Sequence, residues 1–270
     1  MSKNSFLLTK WYLDCVTESG DTVIIYTADL RWMSVSIHYA SAISCIEGKI
    51  ANLSTNHGGW LPAPAGDVVT LSHPGIGVEG RWHALRSPVH KHVFESREGL
   101  VNWHCLQPMS QVEMLFRGHI RLLGLGYVER MSVSVSPWDM PLSSLRWGRF
   151  LSPRDAVVWM DWHGTERKRA VIYNGEELSA TVVSDTEVVF GQSSRLTLDQ
   201  GLVLRKGDLG ETVFPGLSRL SRLLPRTVLA VNECQWRSHG ILHHPHPEGD
   251  TSSGWALHQT VIRPIAARGE

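Results

Sequence analysis

An excess charge of either sign is missing from this chain: Lys plus Arg and Asp plus Glu both total 26 in 270 residues, so the formal net charge is zero. No global field is available to gather nucleic acid, anionic membrane or acidic substrates. Cysteine is scarce too. Cys15, Cys45, Cys105 and Cys234 lie far apart without a CxxC pair, which disfavours a zinc ribbon or a thioredoxin-type site and reads as free thiols in a reducing compartment. The amino-terminal residues hold only Phe6-Leu7-Leu8 as an apolar run before Thr9 and Lys10, too short for the core of a secretory signal. Nowhere does an apolar run reach the ~18 residues of a membrane span. The expectation is a soluble cytoplasmic protein, with at most loose membrane association.

Cofactor signatures are missing as well. No GxGxxG opens a helix after a strand, there is no GxxxxGK[ST], and a G-x-S-x-G elbow is absent, so neither a nucleotide cofactor nor an α/β-hydrolase is expected. The fourteen histidines raise the question of metal. His90/His92 and His243/His244/His246 are the nearest approaches to a ligand set, but neither has an HExxH or facial-triad companion, and the second lies in a Pro-rich polar loop. No metal and no other cofactor is expected.

What is abundant is tryptophan, eleven residues in all. Sustained helical periodicity is confined to Pro215 to Pro225, where leucines at 217, 220, 223 and 224 alternate with Arg219 and Arg222. Elsewhere short β-branched and aromatic runs are separated by turn residues. Trp11 to Trp32 reads as a hairpin about Ser19-Gly20-Asp21, and Asn174-Gly175 is a second hairpin turn. Met33 to Ile50 suggests another strand pair. Asn52 to Pro74 reads as a loop, either a lid or a set of short strands hard to recognise. Turn signals near every ten residues indicate an all-β sandwich or barrel, and the pattern repeats in kind after Phe150.

The densest chemistry runs from Gly124 to Gly164. On a strand, alternate residues share a face. Tyr127 and Glu129 therefore point together, away from Val128 and Arg130; Trp159, Asp161 and His163 share another face. A carboxyl group among apolar neighbours is biased towards its neutral form, which suits Glu129 to general acid work; the structural alternative is an ion pair with Arg146 or Arg149. Asp161 could serve as acid or base with His163 as relay, or the two could be ordinary turn chemistry before Gly164. Asp14 shares a face with Tyr12. Trp11 or Trp32 could pack on Arg31 by a cation–π contact. Arg146, Trp147 and Arg149 suit either a polar floor for a ligand or a lock on an interdomain linker, and Trp138 suits packing at a strand corner.

Two motifs carry a resemblance. The opening W-Y-x-D…G…I-x-Y, here Trp11, Tyr12, Asp14, Gly20, Ile24 and Tyr26, resembles the Trp-Trp-Tyr-x-Asp opening of the lipocalin-fold family that contains carotenoid 1,2-hydratase and the AttH-like proteins, with tocopherol cyclase more distant. The second motif is G-x-G-Y with a polar pair, here Gly124, Gly126, Tyr127, Glu129 and Arg130, followed by Trp147-Gly148-Arg149-Phe150. The family reads Gly-Tyr-x-Asp-His-Asn where this chain reads Gly-Tyr-Val-Glu-Arg-Met.

The resemblance implies an all-β protein of two lipocalin-like (calycin) antiparallel barrels packed together, here 1–140 and 141–270, with one short helix. It also implies an enzyme acting without a redox cofactor on a terpenoid, polyene or polyketide-like molecule by hydration, cyclisation or isomerisation. The candidate catalytic residues are Glu129, Asp161, Tyr127 and His163. The candidate ligand-lining residues are Trp11, Asp14, Trp103, Trp138, Arg146, Trp147, Arg149 and Trp159. The competing function is a non-catalytic carrier of a lipid or pigment, since fold alone does not decide.

Overall fold

The computed structural model describes residues 6–212, 226–245 and 250–264. The helical segment read at Pro215 to Pro225 lies outside them, as does His246. Among the described residues, helix is limited to a 3-10 turn at Pro74–Ile76 and two single turns, α1 (Leu209–Thr212) and α2 (Arg226–Leu229). Among the described residues no helix is long and apolar enough to cross a membrane.

The chain divides into two compact units, Met1–Ser136 and Pro137–Glu270. The first is one ten-stranded antiparallel sheet: β1 (Phe6–Val16), β2 (Thr22–Trp32), β3 (Val35–Ile46), β4 (Lys49–Thr55), β5 (Ala63–Ala65), β6 (Val68–His73), β7 (Val78–Ala84), β8 (Val89–Ser96), β9 (Gly99–Phe116) and β10 (Ile120–Val133). Its order is β4-β3-β2-β1-β10-β9-β7-β6-β5, with β8 also on β9. The second unit uses β11 (Leu142–Leu151), β12 (Ala156–Gly164), β13 (Lys168–Tyr173), β14 (Glu176–Leu178), β15 (Ala180–Val183), β16 (Glu187–Phe190), β17 (Ser194–Leu198), β18 (Leu202–Asp208), β19 (Asn232–His243) and β20 (Thr251–Ile262). Its order, β14-β13-β12-β11-β20-β19-β17-β16-β15 with β18 on β19, repeats the first strand for strand.

The hairpin at Ser19-Gly20-Asp21 forms as read, with Gly20 at φ 90° and Tyr12 opposite Tyr26. At Asn174-Gly175 both turn residues have positive φ, 51° and 92°, the geometry that matches the twist of a two-residue hairpin. Two readings become specific. Met33 to Ile50 holds β3 and the start of its antiparallel partner β4, so the strand pair read there forms and runs on to Thr55. Asn52 to Pro74 holds the end of β4 and the short strands β5 and β6, so only 56–62 is irregular. These strands escape a pattern search because β5 is Ala-Pro-Ala and fully exposed.

Each sheet curls around its own apolar cluster. In the first unit Trp11, Leu13, Cys15, Ile25, Ala42, Leu71, Trp82, Met114 and Val128, drawn from both halves of the sheet, meet in one core. In the second, Phe150, Val157, Trp159, Val171, Phe190, Leu196, Leu242 and Ala256 do the same. Burial of this kind, at ~25 cal/mol per Å² of apolar area removed from water, is the main force closing such sheets. The G-x-G-Y glycines serve this closure. A Cβ on Gly124 or Gly126 would stand 2.2 Å from the Val16 or Asp14 carbonyl oxygen, and one on Gly254 would stand 2.1 Å from that of Leu151 in the equivalent place of the second sheet. Only glycine lets β10 and β20 press this closely on β1 and β11.

Candidate functional site

Alternation in the first unit sorts the candidates as anticipated: Tyr12 and Asp14 share one face, and Trp11 and Cys15 the other. Which face turns inward differs from the expectation. The interior takes Trp11, Leu13, Cys15 and Val128, so Tyr127, Glu129, Tyr12 and Asp14 lie on the opposite face and do not line the barrel. Along that opposite face Cys105, Glu129, Tyr12, Tyr26 and Ser41 stand side by side across five strands, and all are buried.

Register shifts between β9 and β10 fall on either side of Val128, a bulge of the sort that re-aims side chains. Here the Tyr127 hydroxyl donates to Glu129 Oε2 at 2.8 Å, and the Trp103 indole N–H donates to the same oxygen at 2.5 Å. Tyr12 packs edge-on against Tyr26 and Tyr127. Burial, followed by the neighbouring Cys105 and Glu129, pushes the Tyr127 phenol well above its ordinary range, and burial likewise raises the Cys105 thiol. Both therefore stay protonated near neutral pH, and Tyr127 acts as a donor that fixes the carboxyl group. Trp103 belongs to this network, holding Glu129 in place.

Trp11 of the first unit and Trp138 at the start of the second have structural surroundings. Trp11 meets an arginine as anticipated, but the partner is Arg130, whose guanidinium carbon is 5.7 Å from the ring centroid, while Arg31 is exposed and pairs with Asp29. Trp138 is half-buried in segment 134–141, between β10 and β11. That segment is fastened within the second unit by Arg263, which donates to the carbonyl oxygens of Met140 and Pro137 at 2.7 and 2.5 Å.

In the second unit the interior face brings Arg146, Asp161 and Trp159 together. Lys206, Cys234, Thr260, Arg146, Asp161 and Arg169 stand directly opposite one another across six neighbouring strands. The next row inward is Trp236, His258, Gly148, Trp159 and Val171, and the row beyond it Ser238, Ala256, Phe150, Val157 and Tyr173. A polar belt thus overlies a layer with Trp236, His258 and Trp159 and a floor that includes Phe150, Val157 and Ala256. Trp147 and Arg149 alternate onto the other face. The Arg149 guanidinium donates to the Trp255 carbonyl at 2.8 Å, so neither residue belongs to this interior.

Asp161 is the centre of the belt. It is fully buried and accepts from Arg167 at 2.9 and 2.7 Å, from Arg169 at 3.3 Å, and lies 3.1 Å from His163 Nε2. Burial alone would raise its pKa; the hydrogen bonds from Arg167, Arg169 and His163 outweigh that and hold the carboxyl well below the usual carboxylate range. Asp161 is therefore a fixed anion and not the acid or base anticipated for it. Its carboxylate also fixes the orientation of the half-buried His163 ring through Nε2. Arg169 also donates to the Ala180 and Thr181 carbonyls of β15, and Arg146 Nε donates to Asp185 at 3.0 Å, an acceptor shared with Thr260 at 2.8 Å. These bonds tie β11 and β13 to the far edge of the sheet, so one belt closes the barrel and furnishes its mouth.

Beneath it His258 is buried, 2.9 Å from the Ser238 hydroxyl and stacked on Trp236 at 5.2 Å. Burial pushes the imidazole down to about 4, against a weaker upward pull from Asp185 and Asp199. His258, Arg167, Arg169 and Asp185 were not singled out from sequence. Arg167 and Arg169 read as a charged corner, and only the three-dimensional pairing of Arg146 with Asp185, 39 residues away, discloses the belt.

No protein-family model matches the sequence, and no curated protein matches it. Solved structures do share the fold. Kievitone hydratase from Nectria haematococca aligns with a TM-score of 0.54 over 96% of this chain and 89% of its own, at 11% identity. CghA with Sch210972 aligns at 0.53 over 96% and 89%, at 10% identity. An AttH-type protein of Nitrosomonas europaea aligns at 0.52 over 94% and 92%, at 11% identity. The likeness is one of fold, and it is the lipocalin-like two-sheet architecture that the two sequence motifs suggested.

Proposed function

We propose that the protein is an enzyme that uses side-chain acid/base chemistry, without a redox cofactor, on a hydrophobic terpenoid, polyene or polyketide-like molecule, the reaction being a hydration, cyclisation or isomerisation. The observation that carries this reading is the Asp161–His163 pair at the mouth of the second barrel, above the layer of Trp159, Trp236 and His258. A buried anion that fixes one nitrogen of a half-exposed imidazole is a standard arrangement for moving a proton near neutral pH. His163 is the group that accepts or delivers the proton, and Asp161 positions it. The Arg146 guanidinium, aligned through its Nε by Asp185, presents its remaining N–H groups to an oxygen of the ligand, and the indoles of Trp159 and Trp236 offer faces that favour a developing positive charge by about 1–2 kcal/mol each when dry.

A second locus is favoured by the Tyr127–Glu129–Trp103 network, in which a buried carboxyl group is held by two neutral donors. The carrier reading draws on the neutralisation of Asp161 by two arginines, which explains that carboxylate without catalysis. His163→Gln and Glu129→Gln, assayed on a panel of polyenes and terpenoid alcohols with binding followed by tryptophan quenching, separate the three. The proposal expects His163→Gln to lose at least a hundredfold in turnover while binding is kept, with Glu129→Gln active. The opposite pattern moves the chemistry to Glu129, and binding without turnover across the panel by the wild type favours the carrier.

A further inference from the structure

The mouth of the first barrel holds a polar cluster of its own. Across the interior face His90, His104, Arg130, Trp11, Thr27 and Ala40 stand opposite one another in sequence, and Asp29 and His38 face each other in the neighbouring row. Two features of this row lack an internal explanation. Arg130 lies over the Trp11 ring, yet its Nε is buried without a hydrogen-bond partner and, among the described residues, it makes no ion pair. Thr27 is only 1% exposed, and its hydroxyl, directed into the same interior, is also without a partner.

A buried hydroxyl left unbonded costs about 1–3 kcal/mol, and this one, like the unpaired guanidinium, stands directly opposite Trp11 on the interior face, so a two-oxygen ligand group lying over Trp11 would complete both. Asp29, in the neighbouring row, lies 3.4 Å from both His38 and Arg31. His90 and His104 share one hydrogen bond between their Nδ1 atoms at 2.7 Å, so at most one of them carries that proton. Burial, with Arg130 and the neighbouring histidines, lowers the His104 pKa, which favours its neutral form. Apolar surface adjoins the row: Trp60 and Leu61 are exposed in segment 56–62, where Gly59 lies against His38.

We infer that the mouth of the first barrel is a second ligand site, separate from the proposed catalytic one, for an amphipathic organic carboxylate. Its carboxylate is received by Arg130 and the Thr27 hydroxyl, and its apolar body lies against Trp60 and Leu61. A flat guanidinium stacked on an indole and free of protein carboxylates suits planar, two-point recognition of such a group.

The test is calorimetric titration of the full chain with octanoate and with octan-1-ol, which share a tail and differ in charge. The expected result is octanoate binding at least tenfold tighter than octanol. Arg130→Gln lowers octanoate affinity tenfold or more with little effect on octanol, Thr27→Val lowers it severalfold, and His163→Gln in the second unit leaves it unchanged. Circular dichroism checks folding. Should Arg130→Gln fail to fold, Arg130→Lys, which keeps charge but not the planar stack, is expected to bind at least threefold more weakly. Equal binding of acid and alcohol, no octanoate binding by the wild type, or wild-type affinity in folded Arg130 and Thr27 variants overturns the inference. Loss of octanoate binding in His163→Gln overturns it as well, by placing the ligand in the second unit.

Discussion

His258 makes the second barrel sensitive to pH in a way that can be measured. Its folded pKa of about 4 lies below the ordinary value of 6.5. Between these values the unfolded chain takes up the proton and the folded chain does not, so the contribution is fully present above pH 6.5 and is lost as pH falls towards 4. The shift is about 2.5 units, and at 1.36 kcal/mol per unit the full loss is about 3.4 kcal/mol, of which about 2.4 kcal/mol falls between pH 7 and pH 4.5. His258→Gln keeps a side chain able to hydrogen-bond Ser238 and removes the titration. Urea unfolding of both proteins at pH 7.0, 5.5 and 4.5 reads the difference. The wild type should lose about 2.4 kcal/mol more than the variant over that range, with carboxylates and the other histidines cancelling between the two. Equal losses in the two proteins would show that His258 is not held neutral and that the stacked, buried geometry is wrong.

Other outcomes follow from the same geometry. Asp161→Asn leaves Arg167 and Arg169 facing a neutral amide and loosens the seam to β15; unfolding free energy should drop by about 2–3 kcal/mol, less than for a fully buried pair because both arginines reach solvent. Gly148→Ala puts a Cβ 2.3 Å from the Trp159 ring and 2.6 Å from the His258 Cβ, and thermal unfolding should report a cost of about 2–3 kcal/mol. Trp103→Phe removes one donor from the buried Glu129 and should destabilise by about 1–3 kcal/mol, with a smaller effect in the Glu129→Gln background.

Much of the architecture was legible because it rests on local chemistry. Glycine and asparagine in left-handed turns, β-branched runs and alternation gave the first hairpin, the Asn174-Gly175 turn and the all-β class. Alternation also gave which residues share a face. It could not say which face closes inward, because from Trp11 to Val16 every residue of β1 is buried and hydropathy carries no contrast there. That is why Tyr127 and Glu129, read as lining the barrel, lie on its other side. The Asp161 face turns to the interior, and the two arginines that fix its charge sit in a charged corner, Glu166 to Arg169, that reads from sequence as solvated. The Arg130 row escaped for a related reason: His104, Arg130, Trp11 and Thr27 come from four strands and meet only through the register.

The most direct test of the central claim is a crystal structure of the protein with a bound polyene or terpenoid alcohol. The account predicts the ligand in the second barrel, its oxygen within hydrogen-bonding distance of Arg146 and its reacting carbon facing His163. A ligand seated instead against Tyr127 and Glu129, with the second barrel's mouth unchanged, would contradict it.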